Sequence, residues 1–275
     1  MVDGELVTDS LLVDRGLFYG HGLFESIRLD QGRTPLESLH FTRLARDAPR
    51  LHLPLDINCL RAQFARFKVN LQSHNIDSGV VKVIITAGIG GAGYRLPESV
   101  IPRHLFLHRP HPPDNDAIAH GVSLREIDYR LPTNPLLAGI KHLNRLDQIM
   151  ARAEWSDHYF DGIMRDTDGA VIETTCANIF VRSAQGWATP SLTQCGIKGV
   201  MRTLVMDELL PSIQQTVREA ELTLHDVVSC REIFICNAVR GIMPVVNVSN
   251  KYFWTIGKDT LGVRDALAVR QQCYE

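Results

Sequence analysis

The chain has 275 residues and a formal net charge of -2, with 45% hydrophobic and 22% charged residues. Those proportions are ordinary for a globular protein. The near-neutral balance leaves no basic footprint for nucleic acid, and no apolar run approaches the ~18 residues of a membrane span.

The opening stretch, MVDGELVTDS, has neither the basic start nor the apolar middle of a secretory signal, and the six cysteines form no C-x-x-C pair. Reduced thiols in a cytoplasm are the expectation. GLFESIRL then reads as a strand followed by a DQGR turn. SLHFTRLARDAPRLHL and INCLRAQFARFKVNLQSH have helical spacing. GVVKVIITAG and RHLFLHR read as strands, the first rich in β-branched residues. RPHPPDNDAIAHG collects three prolines and several turn formers. It marks a boundary between a smaller domain, 1–115, and a larger one, 116–275.

Beyond the boundary VSLREI is a strand. A helix is expected from Leu143 onward, with Leu143, Leu146, Ile149, Met150 and Ala153 on its apolar face. DGIMRD and VIETTCANIFVR flank a TDG hairpin signal. GVMRTLVMDELLPS and LHDVVSC read as helices, and TVREAEL and EIFICN as strands. KDTLGVRDALAVRQQ is a closing helix. Strands, hairpins and helices mixed in this way define an α+β or mixed α/β chain rather than a strict βαβ repeat.

Several motifs carry chemistry. GIGGAG (88–93) matches G-x-G-x-x-G and follows a strand, yet YRLPESVIP with its two prolines follows where the dinucleotide fingerprint needs a helix. A loop at a site mouth or a plain turn is the better reading. No H-E-x-x-H occurs and the histidines show no metal-like pairing.

Lys141 stands behind the uncharged stretch NPLLAGI. A lysine there is either a solvated residue at a helix start or a desolvated amine able to act as nucleophile or base. HFTRL places His40 and Arg43 one helical turn apart, either on a solvated face or as a fork for a phosphate. GIKGVMR (196–202) sets small residues before an apolar helix, whose N–H groups are either an ordinary helix start or an anion site. Glu173 falls in the strand AVIETTCANIFV, either at a watery edge or as the partner of a pyridinium nitrogen.

In this order and spacing, IKHLNRL, ETTCANIF and GIKGVMR, with HFTRL ahead of them, resemble the class IV pyridoxal phosphate (PLP)-dependent aminotransferases. That family includes branched-chain and D-amino acid aminotransferases and aminodeoxychorismate lyases. The resemblance runs from RGLFYGHGLFESIRL to ICNAVRGIMPV. Within the family AGIKHLNRLDQ, GGAGY before Arg95, and ICNA are most similar to the lyase branch.

The resemblance implies a two-domain fold of the D-amino acid aminotransferase type with pyridoxal 5'-phosphate as cofactor. It implies that Lys141 holds the coenzyme aldehyde and later moves protons, that Glu173 bonds the pyridine nitrogen, and that Arg43 grips the phosphate. It adds the N–H groups of Val200 and Met201 and the side chain of Asn237 around the phosphate, with Ile197 against the ring. Lys82 stands where the branched-chain enzymes carry a substrate-binding arginine. Tyr94, Arg95 and Arg28 complete the candidate substrate residues. The implied reaction converts 4-amino-4-deoxychorismate to 4-aminobenzoate and pyruvate for folate synthesis; the alternative is transamination of branched-chain or D-amino acids. Family members are homodimers, so a second copy is the expected partner, with no nucleic acid, membrane or metal. His21 replaces a common aspartate, and Ala87 and Ala92 stand where some lyases carry arginine. These departures bear on substrate grip and leave the coenzyme assignments intact.

Overall fold

A computed structural model describes residues 13–112, 117–156 and 158–274. The opening stretch MVDGELVTDS and the boundary placed between 115 and 116 lie outside them. The chain divides into two compact units. The first takes the described residues up to Gly32, then Glu37–Arg109 and Lys141–Asn144; the second takes Arg33–Leu36, the described residues of 110–140 and those from Arg145 onward.

In the first unit, strands β1 (Gly22–Leu29), β2 (Gly79–Thr86) and β3 (Arg103–Arg109) form an antiparallel sheet in the order β1-β2-β3. Alternation sends Leu23, Ile27 and Leu29 of β1 and Val81, Val83 and Ile85 of β2 to a buried face. Helices α2 (Glu37–Asp47) and α3 (Ile57–Ser73) supply its apolar cover. Phe41 and Phe64 meet with ring centroids 5.5 Å apart, and Phe64 reaches Phe106 of β3 at 6.0 Å. Asp56 caps α3 by accepting from the N–H groups of Asn58 and Cys59. A short helix, α1 (Arg15–Tyr19), precedes β1.

The residues from Lys141 to Leu143 join this sheet as an edge. Phe24 N–H donates to the Lys141 carbonyl at 3.1 Å, Leu143 N–H donates to the Gly22 carbonyl at 3.0 Å, and Leu23 bridges His142 antiparallel. The expected helix therefore cannot begin at Leu143; α5 spans Leu146–Arg152, after a one-turn α4 (Ala117–His120). Its expected core face points outward instead, with Leu146 72%, Ile149 60% and Met150 55% exposed.

The second unit is built on a mixed sheet. Its strands are β4 (Val122–Leu131), β5 (Asp161–Asp166), β6 (Val171–Thr174), β7 (Asn178–Ser183), β8 (Gly186–Pro190), β9 (Val217–Ala220), β10 (Glu232–Asn237), β11 (Gly241–Val248) and β12 (Tyr252–Phe253). The order is β6-β5-β4-β11-β10-β7-β8-β9, with β12 on β11. β4 runs parallel to β5 and β11, and β8 parallel to β9. Val171 N–H of β6 donates to the carbonyl of Leu222, just past β9, at 2.7 Å, so the sheet curls until its two ends meet. Leu124, Ile163, Val171, Ile179, Ile235 and Met243 share the core inside the curl. Elsewhere in this sheet Phe180 stacks on Phe234 and Trp187 meets Phe234 edge-on, both with centroids 4.9 Å apart.

The helical run after GIKG is α6 (Val200–Leu204), a π turn (Val205–Leu209) and α7 (Leu210–Ser212). α8 (Leu224–Val228) starts with a Thr223–Asp226 capping box, and α9 (Lys258–Arg270) closes the fold. Two sequence expectations change here. VIETTCANIFVR is not one strand: it breaks at residues 175–177 into β6 and β7. GWATP, unmarked in the sequence reading, is β8. Among the described residues no helix is long and apolar enough to cross a membrane.

Phe234 is fully buried between two aromatic neighbours. Phe234→Ala is expected to cost about 3–5 kcal/mol of unfolding free energy, read from the shift in urea midpoint. A shift corresponding to less than about 1 kcal/mol would mean that the aromatic stack is not a core element.

Candidate functional site

Within the first unit, Lys141 projects from the sheet edge onto the same face as Phe24, because residues directly opposite in an antiparallel pair share a face. Its ammonium lies 4.3 Å from the centroid of the Phe24 ring, and that of Lys82 on β2 lies 4.9 Å from the same ring. Burial first, and then the charge of Arg109, push the Lys82 pKa down. Lys141 is thus half-buried beside an aromatic face on a strand edge, not a solvated lysine at a helix start.

The other face of the same sheet holds an ionic cluster. Glu25 is fully buried and receives Arg43 through both arms of the guanidinium: Nε donates to Oε1 at 2.8 Å and Nη2 donates to Oε2. His40 Nδ1 meets Glu25 Oε2 at 2.6 Å. Burial alone would raise the Glu25 carboxyl, but Arg43 and His40 together outweigh it and hold the pKa at about 2. Burial lowers the His40 pKa against the opposing pull of Glu25. Arg43 is 7% exposed, so the solvated-face reading of HFTRL does not hold. Glu25, which the sequence reading passed over as a strand residue, is the group that fixes the arginine.

The GIGGAG loop gives no phosphate cradle. No helix follows it, and its carbonyls rather than its N–H groups converge: Arg15 Nη1 donates to the carbonyls of Gly90, Gly93 and Arg95 at 3.2, 3.1 and 3.4 Å. A loop that wraps a guanidinium with oxygen has the wrong polarity for an anion. His21, the departure noted above, receives Arg15 Nε at 3.3 Å and meets the Leu51 carbonyl at 2.8 Å. Tyr94 is exposed and leans on Tyr19, with ring centroids 5.5 Å apart. Arg95 is exposed, and Arg28 sits 3.9 Å from Asp30.

In the second unit Glu173 is 3% exposed although β6 stands at one end of the strand order, which removes the watery-edge reading. Its Oε2 accepts from Ile197 N–H at 2.8 Å. Asn178 holds the far side of the same residue, donating to the Ile197 carbonyl at 2.8 Å and accepting from Gly199 N–H at 3.1 Å. Gly139 braces the loop further: its N–H donates to Gly196 O at 2.9 Å, and Lys198 N–H donates to its carbonyl at 3.1 Å. A Cβ on Gly196 would press on Ile172 and Leu192, and one on Gly199 would lie 2.1 Å from Asn178 Oδ1, so this turn admits only glycine at both places. Val200 and Met201 open α6 with no side-chain cap.

Arg145 feels the charge of Glu173, though burial is the larger influence and lowers its pKa. Asp161, also missed in the sequence, explains the break in ETTCAN. Buried at the start of β5, it accepts from Thr174 Oγ1 at 2.6 Å, from Thr175 Oγ1 at 2.5 Å and N–H at 3.0 Å, and from Cys176 Sγ at 3.0 Å. Asn237 uses its Oδ1 on the N–H groups of Val239 and Arg240, at 3.0 and 2.9 Å, and so shapes the turn after β10.

Pyridoxal phosphate needs a primary amine for its aldehyde, an acid for its ring nitrogen, and N–H donors with a cation for its phosphate. The first unit by itself carries a half-buried amine, Lys141, and the second by itself carries the buried carboxylate of Glu173 and the glycine-bounded turn that opens α6. The class is that of PLP-dependent enzymes. The amino-transferase class IV profile matches residues 22–248. The aminodeoxychorismate lyase of Vibrio harveyi is 32% identical over 94% of this chain and 96% of its own length. The crystal structure of 4-amino-4-deoxychorismate lyase from Pseudomonas aeruginosa superposes with a TM-score of 0.89 at 34% identity, covering 97% of each chain. The D-alanine aminotransferase of Listeria innocua is 26% identical, over 86% of this chain and 81% of its own. The chain belongs to the class IV aminotransferase family, and its cofactor is pyridoxal 5'-phosphate.

The Glu25 cluster predicts an acid limb in stability. A carboxyl that titrates near 4.5 when unfolded and at about 2 when folded contributes its full stabilisation above pH 4.5 and loses it as pH falls toward 2. His40, buried with a lowered pKa, adds a loss that starts as pH falls below its ordinary 6.5, where the unfolded chain takes up the proton first. Glu25→Gln is expected to cost about 3–5 kcal/mol at neutral pH by stranding Arg43, and to flatten the limb between pH 4.5 and 2. Urea midpoints across that range check both; a wild-type slope surviving in the variant would refute the pairing.

Proposed function

We propose that the chain is a lyase that converts 4-amino-4-deoxychorismate to 4-aminobenzoate and pyruvate, supplying folate synthesis. What carries this reading is the agreement of the lyase-like motifs with the two lyases above, which match nearly the full chain in sequence and in structure. Bound PLP supplies an electron sink for charge developing on the carbon that bears the substrate amine. Lys141 Nζ would hold the coenzyme aldehyde. The same amine would take the proton from that carbon and return a proton to the methylene of the departing pyruvate. Phe24 screens this amine from water on one side. Glu173 keeps a proton on the pyridine nitrogen, and its second bond to Ile197 N–H fixes the carboxylate plane.

Arg43, aimed by Glu25, and the N–H groups of Val200 and Met201 serve the phosphate, and Ile197 packs on the ring. Asn237 is assigned to the phosphate, and it also shapes the turn after β10. Lys82, Arg28, Tyr94 and Arg95 are assigned to the substrate. The working form is read as a homodimer in the cytoplasm; the outward apolar row Leu146, Ile149 and Met150 supports a partner copy. The small domain is placed at 1–115 and the large one at 116–275.

The second reading, transamination of D- or branched-chain amino acids, is favoured by the match to a D-alanine aminotransferase. An assay counting 4-aminobenzoate and pyruvate released from 4-amino-4-deoxychorismate separates the two. Equimolar release supports the lyase; amine transfer to 2-oxoglutarate without release supports the aminotransferase. Lys141→Ala is expected to lose the visible absorbance of bound coenzyme and at least 10³-fold of turnover, within the range for removing a covalent and proton-transferring group. Glu173→Gln is expected to keep the absorbance and lose roughly 10²-fold in kcat. A Lys141→Ala protein with normal turnover would end the proposal.

A further inference from the structure

The open face of the first unit's sheet carries more positive charge than packing calls for. The register sets Arg28, Val80 and Arg109 in one row across the three strands, Ser26, Lys82 and Leu107 in the next, and Phe24, Ile84 and Leu105 in the third. Lys141 pairs opposite Phe24 at the end of that third row. The three strands contain a single acid, Glu25, and it lies on the other face. Arg109 is exposed at the end of β3, and its charge lowers the pKa of half-buried Lys82. Two cations that repel each other on a face without strand acids destabilise the empty fold slightly. Their placement makes physical sense as a receptor for negative charge.

We infer that Arg109 is a specificity-determining residue that takes the ring carboxylate of the substrate. This rests on the lyase reading. Successive rows on one face of a strand lie about 7 Å apart. From the amine at Lys141 the face therefore offers a near cation, Lys82, and a far one, Arg109 beside Arg28. The substrate has the same order: its enolpyruvyl carboxylate hangs on the carbon next to the amine, and its ring carboxylate stands para to it. Alanine and the branched-chain amino acids carry their one carboxylate on the carbon that bears nitrogen, so they have no group of this kind for the far row. Arginine suits the task because its planar fork can bind a carboxylate through two parallel bonds.

The test is calorimetric titration of the PLP-loaded protein with 4-aminobenzoate and with 4-aminobenzamide, which have the same ring and amine but differ in the para charge. Wild type is expected to bind the benzoate at least tenfold more tightly. Arg109→Gln is expected to bring the two within about twofold by weakening the benzoate alone, and Arg109→Lys to keep part of the preference. In turnover, Arg109→Gln should raise KM for 4-amino-4-deoxychorismate about tenfold with kcat within about twofold. A preference unchanged in Arg109→Gln, equal weakening of both ligands, or no preference in wild type would each overturn the inference. Failure of the lyase reading shows separately, as wild type that releases no 4-aminobenzoate, and the charge preference still decides the role of Arg109 in that case.

Discussion

Two backbone hydrogen bonds, from Phe24 N–H to the Lys141 carbonyl and from Leu143 N–H to the Gly22 carbonyl, set the terms for the rest of the site. They turn a lysine that looks in sequence like a helix preface into a residue of a sheet edge. A helix start is the worst place for an ammonium, since the macrodipole opposes it. A strand edge imposes no such field, and the alternation of the pleat decides which way the side chain points. Phe24 then stands beside Lys141 because the two are directly opposite in the pairing. This arrangement suits the amine proposed above to form and break a covalent bond. Its backbone is fixed by the ladder, while its four-carbon stem stays able to move the nitrogen between tasks.

The same logic of indirect support recurs in both units. Arg43 is aimed by Glu25, and Glu25 remains ionised without water because two basic groups share it. Glu173 is tied to Ile197 N–H, while Asn178 holds the Ile197 carbonyl and Gly199 N–H, so the carboxylate and the turn that opens α6 are one hydrogen-bonded unit. Asp161 satisfies five donors of residues 174–176 and stops β6 one residue after Glu173. Each of these polar groups is held by a neighbour, which confines its geometry.

The strands and helices of the first unit were legible because each pairs one buried face with one open face, and period-2 or period-3.6 patterns report that directly. Lys141, Glu173 and GIKGVMR each left a bland and a chemical reading open by residue type, and only the family resemblance singled them out. Glu25, Asp161 and Asn178 were not legible, because an acid or amide in a strand reads as an exposed position until the buried cation or backbone group it serves is known. The helix after Lys141 was misplaced for a related reason: Leu143, Leu146, Ile149 and Met150 obey helical spacing, but spacing is blind to the recruitment of residues 141–143 into a ladder formed with a strand more than a hundred residues earlier. The GIGGAG loop shows the converse. Its glycines are needed for positive φ at Gly88, Gly90, Gly91 and Gly93, and the backbone they free turns oxygens, not N–H groups, toward a buried arginine.

Charge shows most sharply how local the recognition problem is. The whole chain is nearly neutral, a balance that gives no basic footprint for a polyanion. Yet the open face of the first unit's sheet gathers Arg28, Lys82, Arg109 and Lys141, while the strands' one acid lies on the other side. A small dianion feels that face at short range, where screening has little hold, and is indifferent to acids elsewhere on the surface that lie beyond about one Debye length.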